Sequence, residues 1–270
     1  MSGPAQLLRE LEGRARKRFG QHFLASAGVV QNIIRVADLS RGQRVLEVGP
    51  GLGVLTEALV GAGALVTAVE LDRDLVGFLA ERLPTVRLVE ADAADVDWAA
   101  LLDGPGWRVV SNLPYNVGTR ILTGMLTRPD RFDRLVVMVQ REVADRLVAQ
   151  AGDRKRGSLS VYVEARAEAK IRIKVPPGAF HPPPRVHSAV VELRLHPDAR
   201  TGGVAVDHFD AVVRATCSAP RKTVRNALRS KFDGSVVDGA LVQAGVDSRA
   251  RASTLDLGAF QRLAAALPLG

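Results

Sequence analysis

Arg44-Val45-Leu46-Glu47-Val48-Gly49-Pro50-Gly51-Leu52-Gly53 is the stretch that decides the fold. Its first five residues form a short, largely apolar run of strand character. Glycines at 49, 51 and 53 then turn the chain, and a helix-like stretch, Leu52–Val60, follows directly. Glycine lets a backbone turn sharply and lets a ligand approach without meeting a Cβ. Strand, glycine turn and helix in that order open a nucleotide-binding unit, although a lone glycine turn occurs in many settings.

Outward from this turn the alternation repeats. Further strand-like runs fall at Leu65–Glu70, Val86–Glu90, Val109–Asn112 and Leu135–Gln140. Helix-like stretches at Asp74–Leu83, Trp98–Leu102, Thr119–Leu126 and Glu142–Gln150 separate them. Such alternation predicts a parallel sheet covered on both faces. Ahead of it, Val30, Ile33, Ile34 and Ala37 have a helical period. Lys170–Val175 and Ala189–Leu195 flank a proline-rich turn and read as an antiparallel pair closing the sheet edge. Gly157–Ala165 fits a strand or a helix equally well. After Pro197 the pattern is all helical, at Asp207–Thr216, Arg221–Phe232, Ser235–Ala244 and Gly258–Leu267. The expected organisation is a ligand-binding domain over 1–196 and a small helical domain over 197–270.

The chemistry of the first domain lies at the strand ends. Glu70 closes the second strand, where an acid binds ribose hydroxyls, and Asp92 follows the third, where it can accept from an adenine amine. A nicotinamide dinucleotide uses the same ribose acid. Its fingerprint wants another glycine where this chain has Val54, and it needs anion binding for a pyrophosphate. The acid-rich surroundings of Glu47 and Glu70 favour a cationic sulfonium, S-adenosylmethionine. The fold class expected is therefore α/β, a Rossmann-like class I S-adenosylmethionine-dependent methyltransferase sheet with a small C-terminal all-helical domain.

The fourth strand stops at Asn112-Leu113-Pro114-Tyr115. The amide can accept from an exocyclic amine, the proline fixes φ and removes a donor, and the ring offers a stacking face. An Asn-initiated turn at a strand end is the plain structural reading of the same residues.

Composition sets outer bounds. The 270 residues carry a formal charge of +8 and a pI near 10.3, with 47% hydrophobic and 24% charged residues. That describes a globular protein with a polyanionic partner. Lys and Arg outnumber Asp and Glu by 27 to 22 over residues 1–196 and by 10 to 7 over 197–270, so the basic excess spans both parts. The single cysteine, Cys217, points to a reducing compartment, and no apolar run reaches the roughly 18 residues of a membrane span. A cytoplasmic protein without membrane contact is expected.

Several motifs in fixed order carry a resemblance. They are Arg16-Lys17-Arg18-Phe19-Gly20-Gln21-His22-Phe23-Leu24, the glycine turn, Asn112 to Asn116, Met138 to Leu147, Phe180 to Val190, and Arg221 to Leu228. From about Arg16 to about Leu263 the chain resembles the small-subunit ribosomal RNA adenine dimethyltransferases, relatives of the macrolide-resistance methylases and of mitochondrial transcription factor B. The resemblance implies dimethylation of N6 of two adjacent adenines in the 3′-terminal hairpin of 16S rRNA, late in 30S assembly. It puts His22, Leu24, Gly49 and Gly51 at the cofactor, Glu70 on its ribose, Asp92 on its adenine, and Asn112 beside both methyl group and target base. In this reading the Asn112 side-chain oxygen and the Leu113 carbonyl accept the two amine protons, Pro114 shapes the turn, and Tyr115 and Phe180 stack on the extruded base. Ser26 stands where an Asp is common but also caps helices well. Gly118 and Arg120 replace the more usual Ser and Pro, which puts the geometry of that loop in question.

Arg221, Arg225 and Arg229 are spaced i, i+4, i+8, with Lys222 alongside, and share one face of the expected helix. Together with Arg16, Lys17 and Arg18 they are the expected phosphate contacts. Among the histidines only His22 is given a role, and no metal-ligand spacing occurs, so no metal is expected. The expected partner is small-subunit rRNA in an immature 30S particle, met by a monomer. Two other functions compete: a resistance methylase of large-subunit rRNA, and a binding-only assembly or transcription factor.

Overall fold

The computed structural model describes residues 22–268; Arg16, Lys17 and Arg18 lie outside the described residues. The chain divides into two compact units. One comprises the residues up to Ala144 together with Lys170–Leu195, and the other Asp145–Ala169 with His196 onward.

The first unit is built on a mainly parallel sheet. Its strands are β2 (Arg44–Val48), β3 (Leu65–Glu70), β4 (Arg87–Glu90), β5 (Trp107–Asn112), β6 (Phe132–Gln140), β7 (Ala167–Val175) and β9 (Ser188–Leu195), in the spatial order β4-β3-β2-β5-β6-β9-β7. Pairing is parallel from β4 through β6, and β9 joins β6 antiparallel. The expected edge pair, β9 and β7, is present. Helices α1 (Ala27–Ala37), α2 (Val54–Gly61), α3 (Arg73–Arg82), α4 (Trp98–Leu101) and α5 (Gly118–Leu126) alternate with the strands. Order runs outward from β2 to β4 and then returns to β5, so β2 and β5 flank the switch point where ligands of such sheets bind. A separate two-stranded ribbon pairs β1 (Phe23–Leu24) with β8 (Phe180–His181), and the His181–Pro182 peptide is cis.

Local chemistry explains the helix starts. Ser26 caps α1 by accepting from Val29 N, the role its substitution for Asp leaves intact. Asp72 and Asp97 cap α3 and α4 in the same way. The core packs α1 and α2 on the sheet through Val30, Ile33, Leu55 and Leu59 against Val45, Val110, Val136 and Met138.

The second unit contains α7 (Ser158–Arg166), α8 (Val206–Cys217), α9 (Val224–Leu228), α10 (Gly234–Ala244) and α11 (Leu257–Ala266), while α6 (Arg141–Leu147) runs from one unit into the other. One open reading is settled here and two expectations change. Gly157–Ala165, open between strand and helix, is the helix α7, and residues 145–169 group with the helical unit instead of with 1–144. The cause is packing: Val161 and Ala165 share an apolar cluster with Phe209, Val212, Leu241 and Phe260, and buried Arg166 pairs with Asp210. The helix expected over Arg221–Phe232 is only the short α9, because Thr223 caps it and turns surround it.

Candidate active site

The glycine turn is held at the switch point by its neighbours. Gly49 has φ +65° and Gly51 φ +58°, conformations that side chains with a Cβ rarely adopt. Gly49 N donates to Val69 O at 2.9 Å, Gly51 N donates to Glu70 Oε2 at 3.3 Å, and Ala91 N donates to Glu70 O at 3.0 Å. These bonds gather the ends of β2, β3 and β4 around Glu70. Its other oxygen, Oε1, accepts from Leu71 N at 2.9 Å and Asp72 N at 3.0 Å. Asp92 is exposed in the next turn, where Oδ1 accepts from Ala94 N at 2.9 Å.

Two carboxyl groups are therefore buried at the glycine turn. Glu47 is 1% exposed, its Oε2 has no partner, and burial, aided by nearby Glu70, raises its pKa to about 8. Burial also raises Glu70, against the donors from Asp72, Gly51 and Leu71. A cation beside them would favour both ionised forms.

Across the switch point, Ser111 ties β5 to β2. Its hydroxyl donates to Val48 O at 2.6 Å and accepts from Val48 N at 3.3 Å. That clamp sets the next residue, Asn112, level with the glycine turn. A methyl group at Gly49 would lie 3.8 Å from Pro114 Cδ, so the turn and the tetrapeptide adjoin. The Asn112 Oδ1 is buried and has no partner. Leu113 is buried and donates from N to Met138 O at 3.1 Å, and Pro114 O accepts from Gly118 N at 2.7 Å. A Cβ at Gly118 would stand 3.1 Å from Leu113 Cβ, so glycine there lets α5 start directly behind the loop. Arg120 turns outward and pairs with Asp95.

The aromatic wall is braced from two directions. The Tyr115 hydroxyl shares a 2.6 Å hydrogen bond with Ser188 of β9, and its ring lies 6.1 Å from that of His22. His22 Nδ1 is 2.8 Å from Pro182 O, and a Cβ at Gly51 would meet Phe23 Cδ1 at 3.0 Å. The β1–β8 ribbon thus borders the glycine turn with Phe23 while Leu24 turns into the core. Phe180 is 3% exposed and packs with Leu24, Val30 and Ile33. It presents no open face here, and a base stacks on it only by inserting. Ser111, Ser188 and Phe23 were missed from the sequence because their roles depend on partners distant along the chain.

In the helical unit the expected basic face is not formed as one stripe. Arg221 and Lys222 lie in a turn before α9. Arg225 binds Asp238 through two 2.6 Å hydrogen bonds and Arg229 adds a third at 2.9 Å. These guanidiniums hold the Asp238 carboxyl down at about 2. A Val224 N to Ala250 O bond at 2.8 Å brings the loop of exposed Arg249 and Arg251 to the cap of α9, next to Arg221 and Lys222.

The family model for ribosomal RNA adenine dimethylases matches residues 12–267. The chain belongs to the ribosomal RNA adenine dimethylase family. It is a methyltransferase, and S-adenosylmethionine is the methyl donor of such enzymes. Among its relatives, the ribosomal RNA small subunit methyltransferase A of Syntrophotalea carbinolica is 42% identical over 93% of this chain and 96% of its own. The protein of the same name from Pseudomonas aeruginosa is 42% identical over 93% and 94%. In structure, the dimethylase-family chain is similar to the 23S rRNA methyltransferase ErmE, with TM-score 0.69, 26% identity, and coverage of 91% and 99%. A dimethyladenosine transferase from Plasmodium falciparum shares the fold with TM-score 0.76, at 23% identity over 90% and 96% of the two chains. Among the described residues no helix is long and apolar enough to cross a membrane.

Proposed function

We propose that this chain transfers methyl groups from S-adenosylmethionine to N6 of two adjacent adenines in the 3′-terminal hairpin of small-subunit rRNA, acting as a cytoplasmic monomer on immature 30S particles. The buried, unpartnered Asn112 Oδ1 beside the glycine turn carries the reading. A buried acceptor without a donor costs roughly 1–3 kcal/mol, and an incoming amine relieves that cost.

The residues fit the cofactor. Gly49 and Gly51 supply backbone that a ligand approaches without a Cβ, Glu70 offers a carboxylate to ribose hydroxyls, and Asp92 lies on the turn suited to its adenine. His22 and Leu24 belong to the segment bordering its methionine end. S-adenosylmethionine, once bound, supplies a methyl group already activated on a sulfonium. Asn112 Oδ1 and the Leu113 carbonyl accept the amine protons and aim the nitrogen lone pair. Pro114 keeps the turn rigid, and Tyr115, fixed by Ser188, gives the base a stacking face. Arg221 and Lys222, joined by Arg249 and Arg251, attract the RNA backbone, with Arg225 and Arg229 contributing as far as Asp238 releases them.

Asn112→Ala is expected to bind S-adenosylmethionine normally and to lose roughly 100-fold or more of methyl transfer. Near-full transfer by that variant would remove Asn112 from the reaction. Labelled cofactor offered with immature 30S particles or with protein-free large-subunit RNA separates this reading from the resistance methylase and, if neither is labelled, from a binding-only factor.

A further inference from the structure

We propose that strand β7 is a second RNA contact, in which Lys170, Arg172 and Lys174 seat successive phosphates of the substrate backbone. The proposal rests on the reading that this chain acts on RNA, and it assigns to the sheet unit a surface distinct from the cations of the helical unit. Side chains two apart on a strand point the same way and stand about 6.7 Å apart, a spacing comparable to that of neighbouring phosphates along an extended nucleic-acid strand. All three residues are exposed, whereas Ile171 and Ile173 are partly covered and Val175 is buried. Among the described residues β7 is the last strand of the sheet, beside β9, and none of them adds a further strand over it.

The surroundings strengthen the sign of this strip. Buried Glu192 of β9 collects Arg134 at 2.7 Å, Arg194 at 2.9 Å and Arg172 at 3.5 Å. Arg134 also reaches Asp38 at 3.4 Å, while on the outer face Arg194 is 62% exposed and Arg172 46% exposed. From Lys174 the chain passes through Val175 and the short turn Pro177–Ala179 into β8, the ribbon beside the glycine turn. Charges on an edge strand also prevent pairing with other chains, and either sign does that equally well. After Glu168 at the start of β7, every outward charge is positive. Glu192 already matches Arg172, and phosphate binding accounts for the sign of Lys170 and Lys174, which edge protection does not.

The test compares K170Q/R172Q/K174Q and K170E/R172E/K174E with the parent, measuring binding to immature 30S particles across a salt series and binding of S-adenosylmethionine. Each lost phosphate contact flattens the salt slope by about 0.7–0.9, so the Gln variant should lose about 2–3 in slope and about 50-fold in affinity near 0.15 M salt. The Glu variant should bind more weakly still, and cofactor affinity should stay at the parental level in both. Should the Glu variant fail to fold, the Gln variant decides. Parental affinity and slope in the Gln variant, alongside weakened binding by R221E/K222E, would assign β7 to edge protection alone. Parental binding with no salt dependence would overturn the RNA reading itself, and this strip with it.

Discussion

Glu47→Gln tests the electrostatics at the glycine turn. The folded chain holds a proton on Glu47 up to about pH 8, whereas the unfolded chain releases it near the ordinary value of 4.5. Between those values the native state binds more protons than the unfolded state, so this group makes stability fall as pH rises. Integrating at 1.36 kcal/mol per unit from about pH 5 to about pH 7.5 gives a loss of about 3 kcal/mol attributable to Glu47. Glutamine keeps the shape without the titration, so the difference between parent and variant isolates Glu47 together with its coupling to Glu70. Urea denaturation at a series of pH values measures it: the gap between the curves should widen in favour of the variant by about 3 kcal/mol over that range. Curves that stay parallel would show that Glu47 is already ionised in the folded state and that burial does not govern it.

Ser111→Ala removes both links to Val48 and should cost about 1–3 kcal/mol in denaturation while weakening S-adenosylmethionine binding, because the ends of β2 and β5 lose their clamp; unchanged cofactor affinity would deny Ser111 a positioning role. Gly118→Ser brings in the residue more usual at this position, but its Cβ would crowd buried Leu113. It should lower stability by about 1 kcal/mol and reduce methyl transfer, with an unchanged melting temperature and rate as the contrary result. Asp238→Asn frees Arg225 and Arg229, so RNA affinity should rise and its salt slope steepen by about 1–2. Equal slopes in variant and parent would mean that neither arginine reaches RNA.

The glycine turn and the strand ends were legible because their chemistry is local. Backbone at positive φ favours glycine whatever surrounds it, and the alternation places Glu47, Glu70 and Asp92 at the ends of three successive strands. Helix Arg221–Phe232 was over-read for the converse reason. Its cation spacing suits a helix, yet Thr223 caps a start three residues later and Asp238 of α10 claims two of the arginines. Phe180 shows the same limit: an aromatic in a proline-rich motif gives no sign of whether its ring faces a ligand or the core, and here it faces the core.

By itself the sequence determined the α/β sheet, its glycine turn, the order of acids along the strand ends and the Asn112–Tyr115 tetrapeptide, since each depends on residues close together in the chain. Only the tertiary structure decided that Ser111 holds Val48, that Ser188 fixes Tyr115, that burial raises the pKa of Glu47, and that residues 145–169 belong with the helical unit. Those outcomes depend on burial and on partners brought together from distant parts of the chain, and neither is written in local pattern.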